Sequence, residues 1–232
     1  MQISKQQVSL RDEPDYDKLL YLVEQAGRVC YNSESALDRY SGEKFVRRLI
    51  KMGHESVLEH ATLSFMIETD RATANQIVRH RLLSFSQQSQ RYVKYNNLEV
   101  IIPEGIEKYS DEYEVMINGL RDIELRYKQL LKLGLKAEQA RAILPQCTKT
   151  TIVVSGNIRE IRHVLNLRCE RGAQPDIQKL CRGMLRLIHE KYPAFVDDLY
   201  EKYIAEKDKP TKEVELGERK NDNSNKKERN KG

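Results

Sequence analysis

The sequence predicts an α+β fold, and three observations point to it. Segments with two-residue apolar alternation and segments with helical apolar spacing follow one another without a regular β-α-β beat, which argues against a doubly wound sheet. Neither G-x-G-x-x-G nor G-x-x-x-x-G-K-S/T occurs in the 232 residues, so both glycine-rich nucleotide loops are missing. A charged, Asn/Lys-rich end from residue 206 leaves a body of 1–205, long enough for one sizeable core.

The elements follow in order. "MQISKQQVSL" alternates weakly and reads as one strand. "DYDKLLYLVEQAGRVCY" carries Leu19, Leu20, Leu22, Val23 and Ala26 at helical spacing, with Gly27 loosening its end. "GEKFVRRLIKMG" is a short helix closed by Gly53. "ATLSFMIETD" turns Leu63, Phe65 and Ile67 to one side, as a half-buried strand does. "RATANQIVRHRLL" is helical in composition, and Ser84 to Arg91 reads as a loop. "DEYEVMINGLRDIELRYKQLLKLG" is the longest amphipathic helix, and "AEQARAIL" is a shorter one stopped by Pro145. "KTTIVVSG" is a β-branched strand ending at Gly156, and "NIREIRHVLNLRC" and "DIQKLCRGMLRLIHEKY" are helices. The end, 206–232, is too poor in bulky apolar groups to offset the cost of ordering and is expected to be disordered.

Composition excludes several classes. The net charge of +5, from 40 basic and 35 acidic residues, permits nucleic-acid binding without arguing for it. No apolar run is long enough for a signal peptide or a membrane span. The four cysteines form no C-x-x-C pair, so a cytoplasmic protein with reduced thiols is expected. His54 and His60 are six apart, about 240° around a helix, so "GHESVLEHA" is not a helical zinc pair and no metal is expected. No cysteine has an obvious general base beside it.

Two segments carry the chemistry. "RHRLLSFSQQSQRY", Arg79 to Tyr92, is dense in guanidinium, hydroxyl and amide groups with no acid inside it. On a continuing helix Arg79 and Arg81 point about 200° apart, while Gln76 shares a face with Arg79. That suggests two ligands, or two parts of one, on opposite sides. The polar run after it can cradle phosphate and sugar, with Arg91 as a bidentate fork. The second segment, "SGNIREIRHVLNLRCERGA", starts with a capping-box-like Asn157 and Glu160. Arg168 falls on the apolar face set by Ile161, Val164 and Leu165, where a guanidinium needs a partner; Arg159, His163 and Asn166 line the opposite face. A core salt bridge for Arg168, or a solvated basic surface for the first segment, remain open alternatives.

In this order the two segments resemble the flavin-dependent thymidylate synthases. The family signature, R-H-R followed after seven residues by S, is matched by "RHRLLSFSQQS", from Arg79-His80-Arg81 to Ser89. "GHESVLEHATLSF" resembles the family's H-E-[S/T]-x-x-E-H segment, and "ARAILP" and "GNIREIRHVLNLR" its later elements. The resemblance implies mixed helices around a central antiparallel or mixed sheet, and a homotetramer with active sites between subunits. It implies methylation of dUMP to dTMP, with 5,10-methylenetetrahydrofolate as carbon donor and NADPH as hydride source through FAD. By the same resemblance, Ser56, Arg79, His80, Arg81, Gln87, Asn157, Arg159 and His163 contact FAD. Gln76, Arg79, Gln87, Ser89, Gln90, Arg91, Arg141 and Arg168 hold dUMP, and Arg168 is the catalytic, activating group. Gln87 stands where some members carry glutamate, His163 where some carry asparagine, and Ser56 where threonine is commoner. The alternative is a nucleic-acid binder that uses its arginines on phosphates, although the arginines form no single exposed stripe and no specific nucleic acid is expected.

Overall fold

The computed structural model describes residues 1–30, 32 and 41–205. The end from 206 onward, with its expected disorder, lies outside the described residues. The fold is α+β.

Four strands form an antiparallel sheet in the order β2-β3-β6-β4. They are β2 (Gln7–Leu10), β3 (Thr62–Asp70), β4 (Ser84–Gln87) and β6 (Lys149–Asn157). β3 and β6 pair over their full nine residues, with Phe65 opposite Val154 and Ile67 opposite Ile152. The expected alternation of β3 is observed: Leu63, Phe65 and Ile67 are buried. Each such apolar side chain contributes roughly 1.5–3 kcal/mol relative to exposure. Ser64 and Ser155 hydrogen-bond across the other face at 2.7 Å.

Helices cover the sheet. α1 (Tyr16–Val29) is capped by the Asp15 carboxylate, which accepts from Lys18 N–H at 2.7 Å. It packs with α2 (Gly42–Lys51) at Gly27, where a Cβ would lie 2.7 Å from the Phe45 ring. Gly27 is therefore a point of close helix approach rather than a loosened end. α6 (Ile158–Arg168) and α7 (Pro175–Lys191) bury Ile161, Val164, Leu165, Ile177 and Leu185 in the same core. A short α8 (Asp197–Tyr200) follows.

A second core lies beside the first. The long helix α4 (Asp111–Lys132), capped by Ser110, buries Tyr113, Ile117, Leu120 and Tyr127 against Leu98 and Val100. Between α4 and β6 lies the one-turn α5 (Ala137–Ala140), continued as a 3₁₀ turn through Ile143. β1 (Gln2–Ser4) pairs in parallel with β5 (Glu99–Ile101) in a separate two-stranded sheet. The opening ten residues are thus two strands in two sheets rather than one strand. β5, three residues long, carried no readable alternation.

Two further expectations change where the arginine-rich segment begins. The helix from Arg71, α3, spans only Arg71–Ile77, and Ser84–Gln87 is a strand rather than loop. Pairing of Ser84–Gln87 with β6 requires the chain to leave the helix early, so sheet pairing overrides helical composition.

Candidate active site

α3 starts firmly, with the buried Asp70 carboxylate accepting from Thr73 N–H at 2.8 Å. After Ile77 the chain closes tight turns: His80 N–H donates to the Ile77 carbonyl at 3.1 Å and Leu83 N–H to the His80 carbonyl at 3.0 Å. The expected face relations of Arg79, Arg81 and Gln76 on one continuing helix therefore do not hold. Arg79 and Arg81 sit in the turns and are exposed, while His80 is buried. Leu83 anchors the segment by packing onto Gly156, where a Cβ would lie 2.1 Å from Leu83 Cδ2.

Arg168, the last residue of α6, reaches this turn. Its Nε donates to His80 Nε2 at 3.1 Å and its Nη2 to the Gln76 carbonyl at 3.5 Å. It is half-buried at the helix end rather than central to the apolar face. Among the described residues no carboxylate forms an ion pair with it, so the core salt bridge is absent. Burial, then Arg168 and His163 beside it, hold His80 below the ordinary histidine pKa. The neutral ring accepts at Nε2 and carries its proton on Nδ1.

α6 builds the neighbouring cavity of about 790 Å³. Asn157 ends β6 and caps α6, accepting from Glu160 N–H at 2.9 Å. Asn157, Arg159, Glu160 and His163 line the cavity, with Leu82 from the arginine-rich turn. Arg159 is exposed and pairs with Glu59 at 2.5 Å. The His80 and His163 rings meet edge to face at 6.4 Å. Arg162, buried in the wall of this cavity, holds Glu55 at 2.9 Å and Asp198 at 2.8 Å, and donates to the Phe195 carbonyl at 2.7 Å. Ser56 lines a different, smaller cavity of about 340 Å³, which Arg159 also borders.

The remaining candidates lie outside this cavity and are only partly brought together. Gln90 and Arg141 line a polar pocket of about 260 Å³ with Arg71, Asn75 and Gln146. Arg91 pairs loosely with Glu138 at 3.5 Å, and its backbone N–H donates to Ser89 Oγ at 3.2 Å. Gln87 Nε2 donates to Thr150 Oγ1 at 3.3 Å. Gln76 bonds Gln174 through its side chain. The polar pocket shares no lining residue with the α6 cavity.

Sequence reasoning did not single out Arg71 and Asn75. Both lie on the short α3, and only its folded position shows them beside Gln90. The expected capping box is only half formed: Glu160 N–H donates to Asn157 Oδ1, and no bond runs from the Glu160 side chain to Asn157 N–H. The Asn157 backbone is committed to β6 opposite Thr62. Burial pushes the Cys147 thiol up to about 11 and raises that of Cys181 as well, which makes these two poor nucleophiles.

Residues 15–194 match the family described as thymidylate synthase complementing protein. The chain is 41% identical over 180 residues to a flavin-dependent thymidylate synthase of Thermococcus onnurineus, covering 72% of this chain and 73% of that one. It is 35% identical over 198 residues to the protein of that name from Geobacter sulfurreducens, covering 82% and 84% respectively. Among solved structures, the fold superposes on a UMP/dUMP methylase, PolB, from Streptomyces cacaoi bound with 5-Br dUMP. The TM-score is 0.73 at 24% identity, over 88% of this chain and 98% of that one.

Proposed function

The chain belongs to the flavin-dependent thymidylate synthases, and from that premise we propose that Arg168, held by His80, activates the uracil of dUMP. The chain is a methyltransferase that makes dTMP. The observation that carries the assignment of Arg168 is its contact with the R-H-R turn. A guanidinium that no carboxylate among the described residues neutralises is docked on a neutral imidazole at 3.1 Å. Two of its five N–H donors are engaged there and on the Gln76 carbonyl, so three remain for a substrate. A fixed cation beside uracil N3 favours the ionised ring, and stabilisation of that charge raises the reactivity of C5.

The α6 cavity suits a flavin. Its volume lies within the usual range for cofactor sites, and Asn157, Arg159 and His163 offer donors and acceptors. Among the described residues the Glu160 carboxylate on its wall has no partner, which marks a place for an incoming donor. Arg79, His80, Arg81, Gln87 and Ser56 complete the proposed flavin set. When bound, FAD supplies the hydride, drawn from NADPH, that completes the methyl group carried in by 5,10-methylenetetrahydrofolate.

The dUMP phosphate belongs to the second pocket, where Gln90 and Arg141 offer amide and guanidinium donors, with Ser89 and Arg91 flanking Gln90 in the chain. Because this pocket and the α6 cavity share no residue, we assign the complete site to two copies of the chain in a homotetramer. Mixing the inactive variants Arg168→Ala and Arg141→Ala should then restore part of the activity through hybrid assemblies. The described residues include no helix long and apolar enough to cross a membrane, and a cytoplasmic location is the proposed one.

The absorbance spectrum is the first test. Purified protein should show flavin bands or acquire them with FAD. Release of tritium from 5-tritiated dUMP should then depend on both NADPH and the folate. Protein that never takes up flavin overturns the assignment.

A further inference from the structure

Glu160 sits in the first turn of α6 and is only 8% exposed. Its carboxylate has no hydrogen-bond or ion-pair partner among the described residues. It lines the cavity of about 790 Å³, so its small exposed remnant faces that space. The other acids on the wall are matched: Glu59 by Arg159, Glu55 and Asp198 by Arg162. The side chain is enclosed except toward the cavity, so the carboxylate's unused acceptor capacity is open to a donor from the cavity's occupant.

Two kinds of occupant fit a lone carboxylate. Glu160 stands three residues before His163, and ligand atoms of His80, Glu160 and His163 lie within 4.8 Å of one another, so a divalent cation is one. His80 Nε2, however, already accepts from Arg168, and a guanidinium beside the site repels a second cation. The other is a neutral hydrogen-bond donor. With Glu55, Glu59, Glu160 and Asp198 set against Arg159 and Arg162, the wall carries more negative than positive charge, which disfavours a pyrophosphate.

Resting on the flavin reading above, we propose that Glu160 is a further flavin-binding residue. Its carboxylate accepts a hydrogen bond from an N–H or O–H donor of the isoalloxazine or ribityl part, and the pyrophosphate lies outside this cavity. The full chain, stripped of flavin, is titrated with FAD and separately with FMN, and binding is read by flavin fluorescence. Glu160→Ala should weaken both tenfold or more and by the same factor, because the lost contact is on the part they share. Glu160→Gln keeps an amide oxygen and should weaken both equally, but less.

Loss of FAD affinity alone would move the contact to the adenosine end and overturn the proposal. So would unchanged or tighter binding of both flavins, or Zn²⁺ binding that Glu160→Ala abolishes while flavin binding persists. If thermal melting shows that the alanine variant does not fold, the glutamine variant decides: unequal or absent effects overturn the proposal. A wild-type chain that takes up no flavin defeats the proposed function itself. A wild-type chain that binds flavin no better than Glu160→Ala defeats only the role given to Glu160.

Discussion

Arg168 and His80, one at the end of α6 and the other in the turn after α3, are joined by a 3.1 Å hydrogen bond from Nε to Nε2. The bond fixes a cation without consuming its charge, because its partner is neutral. A carboxylate in the same place would have neutralised the group expected to act on the substrate.

Replacing that cation should remove chemistry and spare the cofactor. Arg168→Ala is expected to lower dUMP turnover by at least about a hundredfold, the scale of losing a preorganised electrostatic contact. FAD affinity should change little. Steady-state kinetics beside a flavin titration check both halves, and near-normal turnover would remove Arg168 from its role.

His80 should give the fold a dependence on acid. Its pKa lies below the ordinary value of 6.5, first through burial and then through Arg168 and His163. As pH falls through 6.5 the unfolded chain takes up a proton that the folded chain refuses, so stability decreases until the depressed folded pKa is reached. Arg168→Ala removes one of the depressing charges. The imidazole pKa read by NMR should rise in that variant, and the acid-linked loss of stability should shrink.

Arg162 is expected to matter for stability. Its side chain is 6% exposed and holds Glu55 and Asp198, which are 31% and 49% exposed. Breaking a buried pair costs 3–5 kcal/mol, and partly hydrated acids place this case at the lower end, about 3 kcal/mol. Arg162→Met followed by denaturant unfolding measures it. A loss below roughly 1 kcal/mol would class the network with ordinary surface pairs.

Gly156 should tolerate no side chain. A Cβ there would lie 2.1 Å from Leu83 Cδ2, so Gly156→Ala must displace the residue that anchors the R-H-R turn. Overpacking of this kind costs about 1–3 kcal/mol. Thermal melting should show the loss, and flavin affinity should fall with it because Leu82 borders the cavity. An unchanged melting temperature and unchanged affinity would refute this account of the glycine.

The long amphipathic segments were legible from spacing alone, because α1, α4 and α7 each bury a stripe whose period the sequence displays. The strand around Phe65 was legible for the same reason. What escaped were features decided by partners distant in sequence. Residues 78–83 look helical until Ser84–Gln87 must pair with β6. β5 is too short to alternate and exists because β1 lies beside it. In the candidate site, the R-H-R turn and α6 stood out through unusual densities of arginine and amide. Glu160 did not, because a glutamate three residues past an asparagine has a ready local explanation. Only its burial, and the missing bond to Asn157, reveal a carboxylate directed elsewhere.

The parallel pairing of Gln2 with Glu99 has a consequence for how the molecule is made. About a hundred residues must leave the ribosome before the opening strand can find its neighbour, and contacts that span so much chain form slowly. The sheet built on β3 and β6 needs still later residues. β1 therefore waits, unpaired and open to proteases or chaperones, until β5 is synthesised to receive it.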